Sequence, residues 1–144
     1  MLTLARTGPD DVVYDLGCGD GRIVIAAARE FGARGVGVDI DPALVARARA
    51  AAEAAGVQER VRFVVQDAMT VDVSPATVVT LYLLSASNVA LRPILTRTLR
   101  SGSRIVAHNY PMGDWEPQVI DNFADAAGTL RTLYLWTTDG KVRP

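Results

Sequence analysis

The sequence predicts an α/β domain built on an open, mostly parallel β-sheet. Short apolar stretches rich in valine alternate with helix-like stretches along most of the chain. The last part instead contains two strand-like stretches around a glycine, which indicates a closing hairpin. At 144 residues the chain is long enough for one core, so we expect a single domain over residues 1–144.

Strands and helices alternate in the first half of the chain. Pro42 suits the first turn of a helix and Gly56 suits its end, which fixes the second helix. The predicted elements, in order, are strand 12–16, helix 23–31, strand 35–40, helix 42–55 and strand 61–65.

The second half adds four strands, which brings the total to seven. The stretch TVVTLYLL is almost continuously apolar, as is typical of a central parallel strand. Gly128 marks the turn of the closing antiparallel hairpin. The predicted elements are strand 77–84, helix 88–99 with Pro93 near its start, strand 103–110, and hairpin strands 118–126 and 129–138.

A glycine-rich turn joins the first strand to the first helix and is the main candidate for a ligand site. Glycine allows close approach of a ligand to the backbone, and a helix start offers free N–H groups. Three successive strands also end in a carboxylate, at the sheet edge where such folds bind ligands. The turn glycines are Gly17, Gly19 and Gly21, and the carboxylates are Asp15, Asp39 and Asp67.

The spacing of the turn disfavours a dinucleotide. A G-x-G-x-x-G fingerprint that starts at Gly17 would need a third glycine where the chain has Arg22. Asp20 places negative charge where a pyrophosphate would lie, which favours a ligand with a cationic amine or sulfonium. Each aspartate taken singly also fits a turn or helix cap. A dehydrogenase remains an outside alternative.

Three segments together resemble the class I S-adenosylmethionine-dependent methyltransferases over nearly the whole chain. They are DLGCGDGR, GVGVDIDP and VVQDAM. The resemblance implies a Rossmann-like seven-stranded, mostly parallel sheet with helices on both faces and an antiparallel C-terminal hairpin. It also implies S-adenosyl-L-methionine as the cofactor, without a metal.

The resemblance carries the cofactor contacts over residue by residue. Asp39 would bind the ribose hydroxyls and Ile40 would pack on the adenine. Asp67 and the Ala68 backbone would bind the adenine edge. The methionine part would contact Asp15, Gly17, Cys18, Gly19 and Gly21, with Cys18 chiefly a small filler of the turn.

The fourth strand bears on the methyl acceptor. It lacks the Asn/Asp-Pro-Pro-aromatic sequence of enzymes that methylate nucleobase amines, which disfavours base flipping. The segment from VVTLYLL to HNYPMGDW resembles the protein-lysine methyltransferases related to the ATP synthase c-subunit enzyme and its archaeal broad-specificity counterparts. That resemblance implies a protein lysine as acceptor. It also indicates that the N-terminal cover segment of the group is missing or shortened here.

The candidates for the acceptor side follow the fourth and fifth strands, and three of them have a specific expected role. The candidates are Tyr82, His108, Asn109, Tyr110, Asp114 and Trp115. Tyr82 and Trp115 would form an aromatic wall for an amine, and His108 would relay a proton. The alternatives are a core role for Tyr82, a strand-capping role for His108 and a loop-anchoring role for Trp115.

Composition restricts partners and location. The net charge is −1 and the charges are dispersed, which disfavours nucleic-acid binding through bulk positive charge. No apolar run is long enough to cross a membrane, and a single cysteine excludes an internal disulfide. We therefore expect a cytoplasmic enzyme and leave its oligomeric state open. The alternatives are a small-molecule methyltransferase and a non-catalytic S-adenosylmethionine-binding module.

Overall fold

The computed structural model describes all 144 residues and contains seven strands and three helices. The strands are β1 (Val12–Leu16), β2 (Arg34–Asp39), β3 (Val61–Val65), β4 (Val78–Leu81), β5 (Arg104–His108), β6 (Val119–Ala124) and β7 (Leu130–Thr137). The helices are α1 (Arg22–Phe31), α2 (Pro42–Ala54) and α3 (Ser85–Thr98), and a short 3-10 turn covers Ala68–Thr70. None of these helices is long and apolar enough to cross a membrane.

All seven strands form one sheet in the order β3-β2-β1-β4-β5-β7-β6. The strands β1 to β5 run parallel, and β7 lies antiparallel between β5 and β6. The strand order reverses between β1 and β4, so a crevice is expected at the carboxyl ends of these two strands. The predicted fold class is confirmed, including the closing hairpin.

Helices cover both faces of the sheet, as β1 shows. Val13 points to one face and packs in a cluster with Ala27 of α1. The next residue, Tyr14, points to the other face and packs in a cluster with Leu91 and Leu95 of α3. This alternation is the period of two that a strand imposes on its side chains.

The first seven residues form one helical turn that packs on the sheet. The Thr7 N–H donates to the Leu2 carbonyl, the Arg6 N–H donates to the Thr3 carbonyl, and Arg6 has a φ of 55°. This pattern is the Schellman motif that commonly ends a helix. Leu2 and Ala5 are buried in the same cluster as Val13. The turn therefore covers part of the sheet face on which α1 packs.

Several predicted boundaries differ from the structure, including the start of α3, which lies at Ser85 and not at residue 88, and the end of β6, which lies at Ala124 and not at residue 126. The fourth strand was expected to reach Leu84, but β4 ends at Leu81 and α3 begins at Ser85. The four residues of β4 are buried, whereas Tyr82 and Leu84 are half or more exposed, because the chain leaves the sheet there. The fifth strand was expected to reach residue 110 but ends at His108. The next residue, Asn109, has a φ of 63°, which no strand residue adopts.

Gly37 in β2 provides a test of how the sheet supports the glycine turn. A Cβ at this position would lie 2.6 Å from the Phe63 ring and 3.0 Å from the Cys18 Cβ. We expect Gly37→Ala to lower the free energy of unfolding by about 1–3 kcal/mol through overpacking. Urea denaturation measures this change. Gly8→Ala is the matched control, since nothing lies within 4 Å of its Cβ position. An equal loss in both variants would contradict this explanation.

Candidate functional site

The glycine turn is anchored to the end of β2. The N–H groups of Gly17 and Cys18 both donate to the Val38 carbonyl, at 2.8 and 2.9 Å. The three glycines have positive φ angles, which side-chain-bearing residues rarely adopt. A Cβ at Gly17 would lie 2.7 Å from Leu83, whereas a Cβ at Gly19 would meet nothing within 4 Å. Packing therefore demands glycine at residue 17, and the space above residue 19 is open to a ligand.

Asp39 joins the turn to the sheet through its side chain. Its Oδ2 accepts from the Gly19 N–H at 2.9 Å, and its Oδ1 accepts from the Asp41 N–H at 3.0 Å. Each carboxylate oxygen retains further acceptor capacity. The following residue, Ile40, has 73% of its surface exposed, although it is large and apolar. An acceptor and an apolar surface therefore lie side by side at the end of β2.

Asp67 lies at the end of β3 and caps the 3-10 turn that follows it. Its Oδ1 accepts from the Met69 N–H at 2.9 Å. Asp67 therefore makes the capping contact that the alternative interpretation expected. Residues from the ends of β2, β3 and β4 line a cleft of about 200 Å³, hereafter the β2–β3 cleft. It is lined by Gly17, Val38, Asp39, Ile40, Gln66, Asp67, Ala68, Met69, Leu83, Ser87 and Leu91.

Asp15 is a buried carboxyl group beneath the turn. The Thr80 hydroxyl donates to its Oδ1 at 2.7 Å, while its Oδ2 is buried without a partner. Burial raises the pKa of Asp15 to about 7, against the lowering effect of the Thr80 hydrogen bond, and the Asp39 carboxylate adds to the rise. A cation bound nearby would reverse this shift and favour the ionised form.

A second cleft, of about 450 Å³, opens on the other side of the turn and shares Gly17 with the first. Its wall includes Asp15, Cys18 and Tyr82. Burial, followed by the charges of Asp15 and Asp39, raises the pKa of the Cys18 thiol to about 12. The thiol is therefore not ionised at neutral pH, in agreement with a filler role. We call this space the Tyr82 cleft.

The Tyr82 cleft bears an ion pair at its rim. The Arg22 guanidinium donates to both oxygens of Asp20, at 3.0 and 2.8 Å. This pair orients the two side chains but is largely exposed, so it contributes little to stability.

Tyr82 and His108 are brought together at the ends of β4 and β5. Their rings stack with centroids 4.2 Å apart and planes inclined by 15°. Tyr82 is half exposed, so the predicted core alternative does not describe it. Burial lowers the pKa of His108, and the positive charges of Arg131 and the N-terminus lower it further. His108 is therefore a neutral imidazole at neutral pH.

Trp115 is not brought to Tyr82, so the predicted aromatic wall is not formed by these two residues. The Trp115 ring lies 5.7 Å from the Trp136 ring, and the Arg143 guanidinium lies over it at 5.3 Å. The Trp136 indole also donates to the Trp115 carbonyl at 2.9 Å. These contacts hold Trp115 against the core on the α3 face, which matches the loop-anchor alternative.

Sequence reasoning missed several residues of the two clefts. Thr80 lies within an apolar strand pattern, where a hydroxyl signals a buried polar partner. Leu83 closes the space beside Gly17, and Ser87 comes from the first turn of α3. Their roles depend on the order of the strands, which local pattern does not reveal.

Comparison with known proteins identifies the family. A family model described as the ANTKMT methyltransferase domain matches residues 15–119. The chain belongs to this methyltransferase family. The match runs from Asp15 to the first residue of β6, so it includes both clefts.

Named relatives agree with the family. A protein-lysine N-methyltransferase of Saccharolobus islandicus is 41% identical over 94% of this chain and 84% of its own. The ATP synthase c-subunit lysine N-methyltransferase of Xenopus laevis is 36% identical over 94% of this chain, which spans 55% of that protein.

Solved structures add the cofactor. A protein from Salinibacter ruber, described as an RNA methyltransferase in complex with S-adenosyl-L-homocysteine, aligns with a TM-score of 0.91. It is 49% identical over 99% of this chain and 90% of its own. A methyltransferase from Geobacter sulfurreducens with the same ligand aligns with a TM-score of 0.66 at 32% identity, over 74% of this chain and 45% of its own. The expectation of a class I S-adenosylmethionine-dependent methyltransferase is confirmed.

The buried Asp15 carboxyl predicts a pH-dependent stability. Its pKa is about 7 in the folded chain and near the ordinary 3.8 in the unfolded chain. Between these values the folded chain binds more protons, so its stability falls as the pH rises. Asp15→Asn lacks this group, so we expect its stability relative to the natural chain to rise by about 3 kcal/mol from pH 5 to pH 8. Urea denaturation at both pH values checks this.

Asp10→Asn, at an exposed position, is the control for that measurement. Its stability is expected to follow the natural chain at both pH values. Parallel pH profiles for Asp15→Asn and the natural chain would show that Asp15 is ionised in the folded protein.

Proposed function

We propose that the enzyme transfers a methyl group from S-adenosylmethionine to the side-chain amine of a protein lysine. The observation that carries the proposal is the neutral, stacked His108–Tyr82 pair at the ends of β5 and β4, beside a cleft suited to the cofactor. The names of the archaeal and frog relatives support the same acceptor.

The β2–β3 cleft fits the adenosine part of the cofactor. Asp39 retains acceptor capacity for two ribose hydroxyls while its backbone contacts keep it in place. Ile40 offers an exposed apolar surface to the adenine ring. One carboxylate oxygen of Asp67 accepts from the Met69 N–H, which leaves the other for the adenine amine. The Ala68 backbone lies next to Asp67 in the same cleft.

The glycine turn fits the methionine part. Gly17 lines both clefts, so the two parts of one cofactor would lie on either side of the turn. The open space above Gly19 and the small Cys18 side chain allow close approach, and Gly21 closes the turn onto α1. The unpartnered oxygen of Asp15 provides negative charge near a cationic ligand. S-adenosylmethionine supplies a methyl group on a positively charged sulfur, which this acidic environment favours.

The Tyr82–His108 pair suits an amine acceptor. A lysine ammonium must lose its proton before it accepts a methyl group, which costs roughly 4 kcal/mol at neutral pH. Desolvation against the Tyr82 ring and the positive sulfonium both reduce this cost. The neutral His108 ring has a nitrogen that accepts a hydrogen bond or a proton from the amine. In this scheme Trp115 has no direct contact with the amine and instead anchors the loop that follows β5.

RNA is the competing acceptor, because the Salinibacter relative is described as an RNA methyltransferase. The charges of this chain disfavour it. There are 15 basic and 16 acidic residues, and of the two arginines that line the Tyr82 cleft, Arg22 is paired with Asp20, which leaves Arg47 alone without an ion pair. A phosphate backbone requires a concentration of unpaired cations. A cytoplasmic location also belongs to the proposal, supported by a single buried cysteine.

The proposal is tested by incubating the enzyme with radiolabelled S-adenosylmethionine and a cell lysate. We expect label in the protein fraction, mapped by mass spectrometry to a lysine Nζ. Label confined to RNA or to small molecules would contradict the lysine acceptor. Cofactor binding without any label would favour the non-catalytic alternative.

A matched pair of variants ties the label to the proposed site. Tyr82→Ala is expected to reduce labelling about tenfold even when S-adenosylmethionine is supplied well above the Kd that calorimetry gives for the variant. Leu130→Ala is the control, since this side chain is 81% exposed on the closing hairpin. Equal labelling by both variants would remove Tyr82 from the acceptor side.

A further inference from the structure

The chain makes an unusually tight turn where β5 ends. The Tyr110 N–H donates to the His108 carbonyl at 2.8 Å, and the residue between them, Asn109, has a φ of 63°. A three-residue turn with a positive φ at its centre is rare and strained. A non-glycine residue in such a conformation persists only where its surroundings hold it.

Asn109 is held by two hydrogen bonds to Thr132 of β7. Its N–H donates to the Thr132 carbonyl at 2.7 Å, and its Oδ1 accepts from the Thr132 N–H at 2.9 Å. A backbone N–H only donates, which fixes the orientation of the Asn109 amide. The two bonds continue the β5–β7 pairing by one residue and fix the turn to β7.

Asn88 of α3 holds the same turn from the other side. Its Nδ2 donates to the Tyr110 carbonyl at 2.8 Å, and the residue is fully buried. Its Oδ1 has no partner, which costs about 1–3 kcal/mol. An apolar side chain of similar size would avoid this cost but would leave the Tyr110 carbonyl without this donor, so the bond to the turn is what the asparagine provides.

We propose that Asn88 and Asn109 are positioning residues that fix the turn His108–Tyr110 and thereby keep His108 stacked on Tyr82. Neither residue lines the Tyr82 cleft, so both would act through His108. Asn109 fixes the backbone that directly follows His108, and Asn88 fixes the carbonyl two residues further on. The proposal deepens the proposed function and rests on it, because the stack forms the acceptor side of that site.

His108 is the only histidine in the chain, so its ring signals in an NMR spectrum report directly on the stack. Asn109→Gly permits the same backbone conformation but loses the side-chain bond to Thr132. Asn88→Leu loses the bond to Tyr110 and also removes the unpartnered oxygen. In both variants we expect the His108 ring protons to lose the ring-current shift from Tyr82. We also expect kcat to fall about tenfold, with the Kd for S-adenosylmethionine unchanged within about twofold.

Two further variants separate positioning from general stability. Asn109→Asp keeps an oxygen that accepts from Thr132, so it is expected to retain the His108 signals and most of kcat. Asn122→Ala removes only the Asn122 contact to the Thr132 hydroxyl on the outer side of β7. It is expected to leave both readouts unchanged, whereas urea denaturation reports its effect on stability.

Unmoved His108 signals in Asn109→Gly and Asn88→Leu would overturn the proposal. The proposal is also overturned if, across all four variants, kcat decreases in proportion to the loss of stability. The NMR measurement requires no acceptor, so it decides whether the two asparagines hold the stack even if the lysine acceptor proves wrong. A changed stack with an unchanged kcat on a protein lysine would remove the stack from the reaction and overturn the positioning role.

Discussion

The hydrogen bond from the Gly19 N–H to the Asp39 carboxylate is the contact on which the site depends. It joins residues 20 positions apart and fixes the glycine turn to the end of β2. The two backbone hydrogen bonds from the turn to the Val38 carbonyl also hold the turn at the end of β2. Because Asp39 is held at both oxygens, it faces the β2–β3 cleft without losing its capacity to accept from a ligand.

The same contact brings carboxylates close together, with an electrostatic consequence. The Asp39 charge adds to the effect of burial in raising the pKa of Asp15, and both carboxylates oppose ionisation of Cys18. Such a site is unfavourable for an anion and favourable for a cation. A sulfonium cofactor therefore relieves repulsion that the folded chain already contains, which connects the acidic sheet edge with the chemistry of the family.

Local pattern in the sequence was sufficient for most of the fold and for predicting that the glycine turn and the strand-end carboxylates lie at one edge of the sheet. The alternation of strands and helices, the glycine spacing and the hairpin around Gly128 are all local features, and the structure has each of them. The placement of β7 between β5 and β6 depends on pairing across the sheet, which no local pattern encodes.

The contacts on the acceptor side were less predictable, because they also join residues that are distant in the sequence. Tyr82 was expected beside Trp115, but its aromatic neighbour is His108, because Trp115 packs on Trp136 of β7. Asn88 gave no signal, since its partner lies 22 residues away along the chain. Asn109 was a candidate only through its position after the fifth strand, because its bond to Thr132 joins residues 23 positions apart.

Calorimetric titration of Asp39→Asn with S-adenosylmethionine tests the central claim most directly. The variant keeps an oxygen for one backbone N–H but loses the charge and one acceptor, so the turn and the ribose compete for what remains. The account predicts a Kd about 100-fold higher than that of the natural chain, at a pH where both are folded. A Kd within about twofold of the natural value would show that the cofactor does not bind at the end of β2.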